Sequence, residues 1–457
     1  MFPAMTEPGP PRHSTRSILL FWMPLAATWL MMAAEGPFLA AIIARLADPT
    51  FNLAAHGVAF AFAILVEAPV IMLMSASTAL VEDASSFRRL RSFANALNVG
   101  STGLLLLVLV PPVYDGLMST LLGLPPEVSS LTYGALWLLL PWPAAIGYRR
   151  FLHGLLIRSG RTRLVAIGTV LRLSGMAATA LVLYLTTDLP GAWVGASSLS
   201  VGVMSEAVAA RLFAIRTVRE LRDGPERADP SAEPMGYGDI ARFYYPLALT
   251  SMIGLTVQPM LTFFMGRAPS PIESLAVFPV VHALSFLFRA FGLSFQEAAI
   301  ALLGKRCEHF PELARFGTIL GLAASGGLAL VAFTPLADFW FITVSGLSPE
   351  LTEFALTPTR VLVALPALSV LLSFQRAILV QARRTRPITV ATAIEVITIA
   401  VLFTALGWWV ELVGVTAAVI AFVGGRTASV SYLVPRSRRA LASKREQEAR
   451  GKAGSPR

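Results

Sequence analysis

The sequence predicts an all-α polytopic membrane protein, with about twelve transmembrane helices arranged as two pseudo-symmetric lobes of six. Two observations support this fold class. The 457 residues are 55% hydrophobic and only 14% charged, with a mean hydropathy of +0.67, and soluble globular domains do not have this composition. The apolar residues form repeated runs long enough to cross a bilayer, and the pattern of the first half recurs in the second. Because backbone groups in lipid must be satisfied within one segment, these runs indicate helices.

The internal repeat is visible in residues that recur at a constant spacing of 222 positions. These pairs are Pro24 and Pro246, Pro37 and Pro259, Arg45 and Arg267, and Glu67 and Arg289. At a spacing of 223, the triplet Arg-Thr-Arg at 161–163 recurs at 384–386, and Arg172 is matched by Glu395. Since each half has an even number of spans, both halves enter the membrane from the same side. The sequence therefore predicts parallel repeats related by an axis along the membrane normal.

The predicted spans lie near 18–44, 53–81, 96–118, 131–157, 164–185, 193–215, 243–266, 275–303, 316–340, 351–380, 387–408 and 413–435. They divide the chain into a cytoplasmic tail (1–17), an N-lobe (18–215), a cytoplasmic linker (216–242), a C-lobe (243–435) and a basic, disordered tail (436–457). The linker is rich in Pro, Gly and charge, as flexible connections are. The first apolar run is too long for a signal peptide and lacks a small-residue cleavage site, so we expect it to be retained.

The positions of arginine and lysine predict the orientation in the membrane. Alternate loops, beginning with the N-terminal tail, carry nearly all basic residues outside the spans, whereas the opposite loops carry only Arg45 and Arg267. By the positive-inside rule both termini are cytoplasmic, in a multi-pass protein of the cell inner (plasma) membrane. The net charge of +10 then belongs to loops that contact anionic lipid headgroups rather than nucleic acid. We expect a monomer.

The chain has no sequence motif of an enzyme. Gly304-Lys305-Arg306 lacks the glycine spacing of a phosphate loop and has no Ser or Thr after the lysine. The nucleophile elbow, the His-Glu-x-x-His zinc motif and paired-carboxylate spacings are also absent. The single cysteine, Cys307, excludes an internal disulfide and a cysteine metal cluster. We therefore expect no catalytic residue, no metal site, and no cofactor other than a coupling H⁺ or Na⁺.

Charged residues within apolar runs are the strongest candidates for a functional site, because they are costly in lipid and face the protein interior or a water-filled cavity. Glu67 and Arg289 each lie near the middle of a span. Helical spacing gives each of them polar neighbours on one face: His282, Ser285 and Gln296 with Arg289, and His56 and Thr78 with Glu67. These two polar faces are predicted to oppose each other across the cleft between the lobes. Glu67 and Arg289 either meet a substrate or pair with each other as a gate.

Further charged or polar residues lie towards the ends or breaks of spans. Glu35 precedes Gly36-Pro37, where missing backbone bonds allow the helix to unwind and expose carbonyls to an ion, so we expect ion coupling or burial for helix contact. Arg150 is a candidate to receive an anionic solute, together with Arg149 and His153 on the same span. Arg376 is another candidate, together with the adjacent Gln375. Snorkelling to the inner interface is the favoured interpretation of Arg149. Arg172 and Glu395 are expected to form pairs within their own lobes rather than to line the cavity.

The proline-marked first span of each half resembles the MATE-like multidrug, oligosaccharidyl-lipid and polysaccharide exporter superfamily. The chain is most similar there to the progressive ankylosis (ANK-type) transporters. The motifs that carry the resemblance are Tyr245-Pro246-Leu247-Ala248-Leu249, the stretch from Pro259 to Arg267, Gly292 with Glu297, and Pro358-Thr359-Arg360 leading to Pro366 and Arg376. The resemblance implies two lobes that alternate around a central cavity, and for ANK-type members a small anion such as citrate, pyrophosphate or a nucleotide.

The sequence is compatible with either a negatively or a positively charged substrate. Arg289, Arg376, Arg150, His282 and Gln296 fit an organic anion, whereas Glu67, Glu35 and Glu297 fit an organic cation or a coupling ion. The leading hypothesis is a secondary active transporter that exports a small organic anion by rocker-switch alternating access. The alternatives are an H⁺ or Na⁺ coupled multidrug antiporter of organic cations, a flippase of a lipid-linked precursor, and a membrane scaffold without transport.

Overall fold

The computed structural model describes residues 14–224, 235–304, 307–382, 384 and 386–453. Within these residues all regular structure is helical, as predicted. The middle of the predicted linker, most of the N-terminal tail, Lys305, Arg306 and the last four residues lie outside the described part.

The first half of the fold, which we call the N-lobe, contains ten α-helices in its described residues. They are α1 (Thr15–Ala33), α2 (Glu35–Ile43), α3 (Pro49–Glu67), α4 (Leu73–Leu80), α5 (Ala84–Val108), α6 (Pro111–Asp115), α7 (Pro126–Leu138), α8 (Trp142–Arg158), α9 (Thr162–Thr186) and α10 (Gly191–Asp223). A π-helical segment, Gly116–Leu121, follows α6.

The second half, which we call the C-lobe, repeats this order. Its helices are α11 (Tyr237–Leu255), α12 (Val257–Met265), α13 (Pro271–Leu302), α14 (Phe310–Phe333), α15 (Leu336–Asp338), α16 (Pro349–Val361), α17 (Leu365–Gln381), α18 (Arg386–Phe403) and α19 (Gly414–Ala453). Two π-helical segments, Phe339–Val344 and Thr404–Trp409, and a 3₁₀ turn, Leu362–Ala364, complete the described elements. The helix α19 continues through Pro435 as far as Ala453, whereas disorder was predicted for the basic tail from residue 436. The tail is rich in Ala, Arg, Lys and Glu, which favour helix.

By length and composition, ten helices or helix pairs of the described chain can cross a membrane, or eleven if the bent pair of α5 with the segment after it is one span. The prediction was about twelve. The difference lies at predicted span four, which consists of α7 and α8 with an interruption between Leu138 and Trp142. The helix α8 carries Arg149 and Arg150 and packs among α4, α5 and α10. Because it is surrounded by protein, its low hydropathy is compatible with a membrane position.

The backbone supports the internal repeat independently of side chains. The residues before α3 and α13, Asp48 and Ser270, both have left-handed conformations, with φ of 48° and 53°. The π-helical segments Gly116–Leu121 and Phe339–Val344 occupy equivalent positions, and each is followed by a glycine with positive φ, 67° at Gly123 and 74° at Gly346. Equivalent positions in the two halves therefore share the same backbone conformation, even where their residue types differ, as at Asp48 and Ser270.

The first span of each lobe bends where the repeated prolines remove a backbone bond. Pro37 cannot donate to the carbonyl of Ala33, the last residue of α1, and Pro259 cannot donate to the carbonyl of Leu255, the last residue of α11. The unwinding predicted at Glu35 is limited to one residue. Ala34 has a helical conformation and its carbonyl accepts from Phe38 N at 3.1 Å, so the chain is bent rather than opened.

The second span is broken in the N-lobe only. The helix α3 ends at Glu67, and Pro69 follows, so that regular helix resumes at Leu73. Thr78 therefore belongs to a separate helix, where its hydroxyl donates to the carbonyls of Met74 and Gly154. The single polar face predicted for His56, Glu67 and Thr78 is wrong, because that prediction assumed an unbroken helix. The equivalent α13 is continuous through Arg289.

The two lobes pack against each other through α1, α2 and α3 on one side and α13 on the other. Glycines permit this close approach. A Cβ placed on Gly57 of α3 would lie 2.7 Å from Pro279 Cγ, and one on Gly36 would lie 3.1 Å from Ala283 Cβ. The central interface is therefore a tight helix contact in this conformation, as is common where small residues line membrane helices.

We expect Gly57→Ala to destabilise the protein by about 1–3 kcal/mol, because the added methyl group overpacks the contact with Pro279. The measurement is the apparent melting temperature of purified protein in detergent. The matched control is Gly100→Ala in α5, where nothing lies within 4 Å of the place that the added Cβ would take. Equal melting temperatures for the two variants would contradict the tight contact between α3 and α13.

Candidate functional site

A buried network of charges holds the interior of the N-lobe together. Arg172 of α9 donates to Glu35 Oε2 at 2.9 Å, and its Nε lies 3.3 Å from Glu206 Oε2. Arg149 of α8 donates to the same Glu206 oxygen, and His153 Nε2 lies 3.9 Å from Glu206 Oε1. Glu206 has no exposed surface. The network thus connects α2, α8, α9 and α10 through one buried carboxylate.

Two expectations about this region are resolved by the network. Arg149 does not snorkel to the interface as favoured from the sequence, because its side chain is buried against Glu206. Arg172 pairs within its own lobe. Sequence analysis did not identify Glu206, although it is a charged residue in the middle of an apolar run, and the criterion applied to Glu67 would have found it.

Glu67 lies in the same lobe but outside this network. Its Oε2 accepts a hydrogen bond of 2.6 Å from Trp142 Nε1, and the side chain is buried. Arg150, the nearby candidate on α8, contacts Met74 Sδ at 3.9 Å. In the described residues no ion pair within 4 Å joins Glu67 to a cation, and Glu67 and Arg289 do not pair in this conformation.

The C-lobe contains a smaller network with a single carboxylate. Glu395 of α18, the repeat partner of Arg172, pairs with Arg426 of α19 at 2.8 Å, so it also remains within its own lobe. Arg426 NH1 donates to Ser369 Oγ on α17 at 3.3 Å. On the same helix Arg376 donates to Thr392 Oγ1 of α18 at 3.3 Å. Sequence analysis did not single out Arg426 either. Like Glu206, it is a charged residue within an apolar run, and the criterion applied to Glu67 would have found it.

Arg289 is surrounded by rings and neutral donors rather than by carboxylates. Its guanidinium carbon lies 4.9 Å from the ring centroid of Phe422 and 5.8 Å from that of Phe286. Its NH1 lies 3.4 Å from His282 Nε2, and the His282 ring lies 3.4 Å from Gln258 Nε2. Part of the predicted polar face on α13 is therefore a real cluster, and it turns towards α12 and α19 of its own lobe.

The inner part of α13 contacts the N-lobe directly. Trp22 Nε1 of α1 donates to Ser294 Oγ at 2.9 Å, and Trp29 Nε1 donates to Glu297 Oε1 at 3.1 Å. Glu297 is thus a contact between lobes in this conformation, and its predicted role in ion coupling stays a prediction. Gln296 is half-buried and has no hydrogen-bond partner among the described residues.

The two lobes differ in the balance of charge in their interiors. In the N-lobe three carboxylates accompany three arginines: Glu35, Glu67 and Glu206 with Arg149, Arg150 and Arg172. In the described C-lobe interior one carboxylate accompanies three arginines, Glu395 with Arg289, Arg376 and Arg426, while Glu297 on α13 is exposed and accepts a hydrogen bond from Trp29 of the N-lobe. Arg289 and Arg376 have no carboxylate within 4 Å in the described chain. The C-lobe interior therefore carries an excess of positive charge.

A pair of arginine contacts joins the two lobes at the end that the distribution of arginine and lysine predicts to be the outer one. Arg45, at the end of α2, donates to the carbonyls of Ala41 and of Thr343, the latter in the C-lobe. Its repeat partner Arg267 donates to the N-lobe carbonyls of Leu121, at 2.7 Å, and Thr120. The carbonyls across the interface end the π-helical segments Phe339–Val344 and Gly116–Leu121, where unpaired carbonyls and the helix dipole favour a cation. We call these two contacts the outer latches.

Comparison with solved structures identifies the architecture. A multidrug resistance MATE family transporter of the MOP superfamily, in its inward-facing conformation, matches 93% of this chain and 99% of its own, with a TM-score of 0.70 and 16% identity. This chain has the MATE-type transporter fold. The lipid II flippase MurJ, in an inward closed conformation, matches 92% of this chain and 90% of its own, with a TM-score of 0.69 and 11% identity.

The MATE-type fold is matched less well in its outward-facing form. An outward-facing MATE family transporter covers 95% of this chain and 98% of its own, with a TM-score of 0.63 and 14% identity. No protein-family model and no curated protein matches the chain in sequence. The MATE-like part of the resemblance found in the sequence is confirmed at the level of fold, whereas the ANK-type branch is not supported by these structures.

We expect Glu206→Gln to lower the stability of the protein by about 3–5 kcal/mol, because two buried arginines lose their shared carboxylate. The matched control is Glu220→Gln, since Glu220 forms exposed pairs with Arg216 and Arg161 that contribute at most about 1 kcal/mol. Apparent melting temperatures in detergent compare the two variants. A similar small effect from both would contradict the role of Glu206 in holding the N-lobe.

Proposed function

We propose that the protein is a secondary active transporter that exports a small organic anion by alternating access between its two lobes. The observation that supports this proposal is the excess of arginine in the C-lobe interior, where Arg289 and Arg376 lack carboxylate partners among the described residues. An unneutralised charge within the membrane is costly. A substrate anion that neutralises these arginines would bind there more favourably than a cation.

Arg289 is the residue we propose as the main anion contact. Phe422 and Phe286 lie against the guanidinium, and its Nε is buried without a hydrogen-bond partner. The planar guanidinium offers several donors in a fixed geometry that matches carboxylates and phosphates. His282 and Gln258 are neutral donors and acceptors beside it. Citrate, pyrophosphate and nucleotides, which the ANK-type resemblance implies, all present such oxygens.

The outer latches support a cycle that begins with the outer side closed. Both latches join the lobes at the end that the arginine distribution assigns to the exterior. The TM-score is 0.70 to one inward-facing MATE family structure and 0.63 to one outward-facing structure, which agrees with this assignment. In the proposed cycle the anion enters from the cytoplasm, the latches break, and the inner contacts of Trp22 and Trp29 with α13 rearrange as the lobes rock.

Glu67 is the residue we propose for ion coupling. Glu35 and Glu206 are already paired with arginines, whereas Glu67 accepts a hydrogen bond from neutral Trp142. It lies at the break of the second span, next to Pro69, whose carbonyl accepts a hydrogen bond from Tyr244 of the C-lobe. A proton or sodium ion on Glu67 would therefore act at a point where the two lobes meet.

We expect Arg289→Gln to weaken anion transport in reconstituted vesicles, with an apparent affinity at least about tenfold lower, because a buried charge contact is lost. The measurement is uptake of labelled citrate, pyrophosphate and a nucleotide into vesicles with an imposed proton or sodium gradient. Arg315→Gln is the control, since Arg315 is exposed on α14 and the variant loses the same charge.

Four other results would distinguish the alternatives. Unchanged transport of every anion in Arg289→Gln would refute the anion site. Transport of a lipophilic cation that is lost in Glu67→Gln would favour the multidrug antiporter. Translocation of a lipid-linked precursor, without flux of any soluble anion, would favour the flippase. No solute flux by any of these routes would favour a scaffold.

We expect the double variant Arg45→Ala/Arg267→Ala to shift the protein towards an outward-open conformation. Hydrogen bonds to a charged group contribute about 1.5–3 kcal/mol each, and about 5.5 kcal/mol reverses a 99:1 equilibrium. The measurement is the distance between spin labels at the exposed outer residues Glu127 and Glu350, which are repeat equivalents. Cys307→Ser provides the background free of other thiols.

The control for this experiment is Arg360→Ala, because Arg360 also lies towards the outer side but donates to Ala332 within its own lobe. The control should retain the short distance between labels. A double latch variant with the same distance distribution as the control would show that the latches do not hold the outer side closed.

A further inference from the structure

We propose that a crevice on the N-lobe binds the phosphodiester headgroup of an anionic phospholipid in the cytoplasmic leaflet. The crevice lies between α5, α8 and α10, and its polar lining consists of Arg91, Asn95 and Asn98 from α5, Tyr148 from α8 and Arg211 from α10. It is separate from the buried network and from the C-lobe arginines. The inference does not depend on the substrate proposed above.

The side chains that flank the crevice show that it opens to lipid. Val99 on α5 is 73% exposed, and Val208 and Leu212 on α10 are 61% and 60% exposed. In a membrane protein such exposed apolar side chains face acyl chains. Arg91 and Arg211 are exposed on the same surface. Two guanidinium groups are therefore presented to the bilayer between apolar side chains.

Both arginines lie within their helices, a short distance from the end of the N-lobe that is predicted to be cytoplasmic. Arg91 is seven residues from the start of α5, about 10 Å at the helical rise of 1.5 Å per residue. Arg211 is six residues, about 9 Å, before Thr217, which contacts Arg161 in the loop between α8 and α9. This end of the N-lobe carries the basic loops. The two side chains are placed to reach the phosphate level of that leaflet.

The two arginines have no counter-charge from the described protein. No carboxylate lies at the third or fourth position before or after either residue in its helix, and neither forms an ion pair or hydrogen bond. Neighbouring arginines differ: Arg89 donates to the Met235 carbonyl and Arg158 to the Thr78 carbonyl.

An anionic phospholipid supplies what this surface lacks. Arginine donors bind phosphate oxygens with good geometry, and basic pockets between helices on the cytoplasmic side suit anionic headgroups. The space within the crevice is only about 20 Å³, so the phosphate would lie at its mouth, between the two guanidinium groups. The acyl chains would then run along the exposed apolar side chains of α5 and α10.

The test is native mass spectrometry of purified protein titrated with phosphatidylglycerol, with phosphatidylcholine as the zwitterionic reference. We expect R91Q/R211Q to bind phosphatidylglycerol about thirtyfold more weakly, since one basic residue near the surface contributes about 1 kcal/mol, or a factor of about five. Each single variant should show a loss of about fivefold. The matched control is R163Q/R219Q, which removes two exposed arginines of the same side that do not line the crevice.

Folding of each variant is monitored by its size-exclusion elution profile and by its melting temperature in phosphatidylcholine alone. If the double variant is unstable, the two single variants are compared instead. An equal loss in R163Q/R219Q would overturn the proposal in favour of general surface charge. Unchanged phosphatidylglycerol binding in R91Q/R211Q would overturn it directly. Displacement of phosphatidylglycerol by millimolar inorganic phosphate would overturn the assignment to lipid in favour of a free anion.

Discussion

The structure depends on the need to neutralise arginine within the membrane. Placing one unpaired ion in the low-dielectric interior costs several kcal/mol, and separating an existing buried pair costs about 3–5 kcal/mol. In the N-lobe, Glu206 lies between Arg149 and Arg172, and Arg172 also reaches Glu35. These contacts tie four helices into one body, because moving any one of them away would expose a charge. In the proposed cycle the N-lobe would therefore move as a unit while its interior stays unchanged.

The C-lobe interior also contains arginine and glutamate, but here two of the arginines have no carboxylate partner among the described residues. The Glu395 carboxylate pairs with Arg426, which leaves Arg289 and Arg376 to aromatic rings, a histidine and hydroxyl groups. Ring faces and neutral partners stabilise a guanidinium only partly. A bound anion would lower the remaining cost, so in the proposed function the free energy of anion binding includes relief of this charge. In the proposed transporter, one half of the internal repeat thus provides a rigid lobe and the other provides the lobe that binds the anion.

Sequence analysis predicted the helical class and the repeat because both are statistical properties of long segments. It predicted individual site residues less well for physical reasons. Glu206 and Arg426 are charged residues within apolar runs, which is the criterion that identified Glu67, so both could have been predicted from the sequence. The polar face through Thr78 failed because Pro69 ends α3, and helical spacing has no meaning across a break. The contact of Trp142 with Glu67, and those of Arg45 and Arg267 with the opposite lobe, depend on which helices are neighbours in space. No spacing within one segment contains that information.

The distribution of symmetry over the molecule is itself informative. The outer latches share one symmetric contact. Arg45 and Arg267 are repeat partners, and so are the carbonyls of Thr343 and Thr120 to which they donate, the π-helical segments that carry these carbonyls and the left-handed glycines beside them. The interiors are asymmetric, since Glu67 is matched by Arg289 and Arg172 by Glu395. A gate that opens by rotation of two similar lobes loads both of its contacts equally, which favours retention of the same arginine in both halves. A site for an asymmetric solute gains nothing from duplication, because one molecule binds between two different surfaces. In the proposed transporter, symmetry at the latches and asymmetry within the lobes therefore separate the contacts that open from the surfaces that bind the anion.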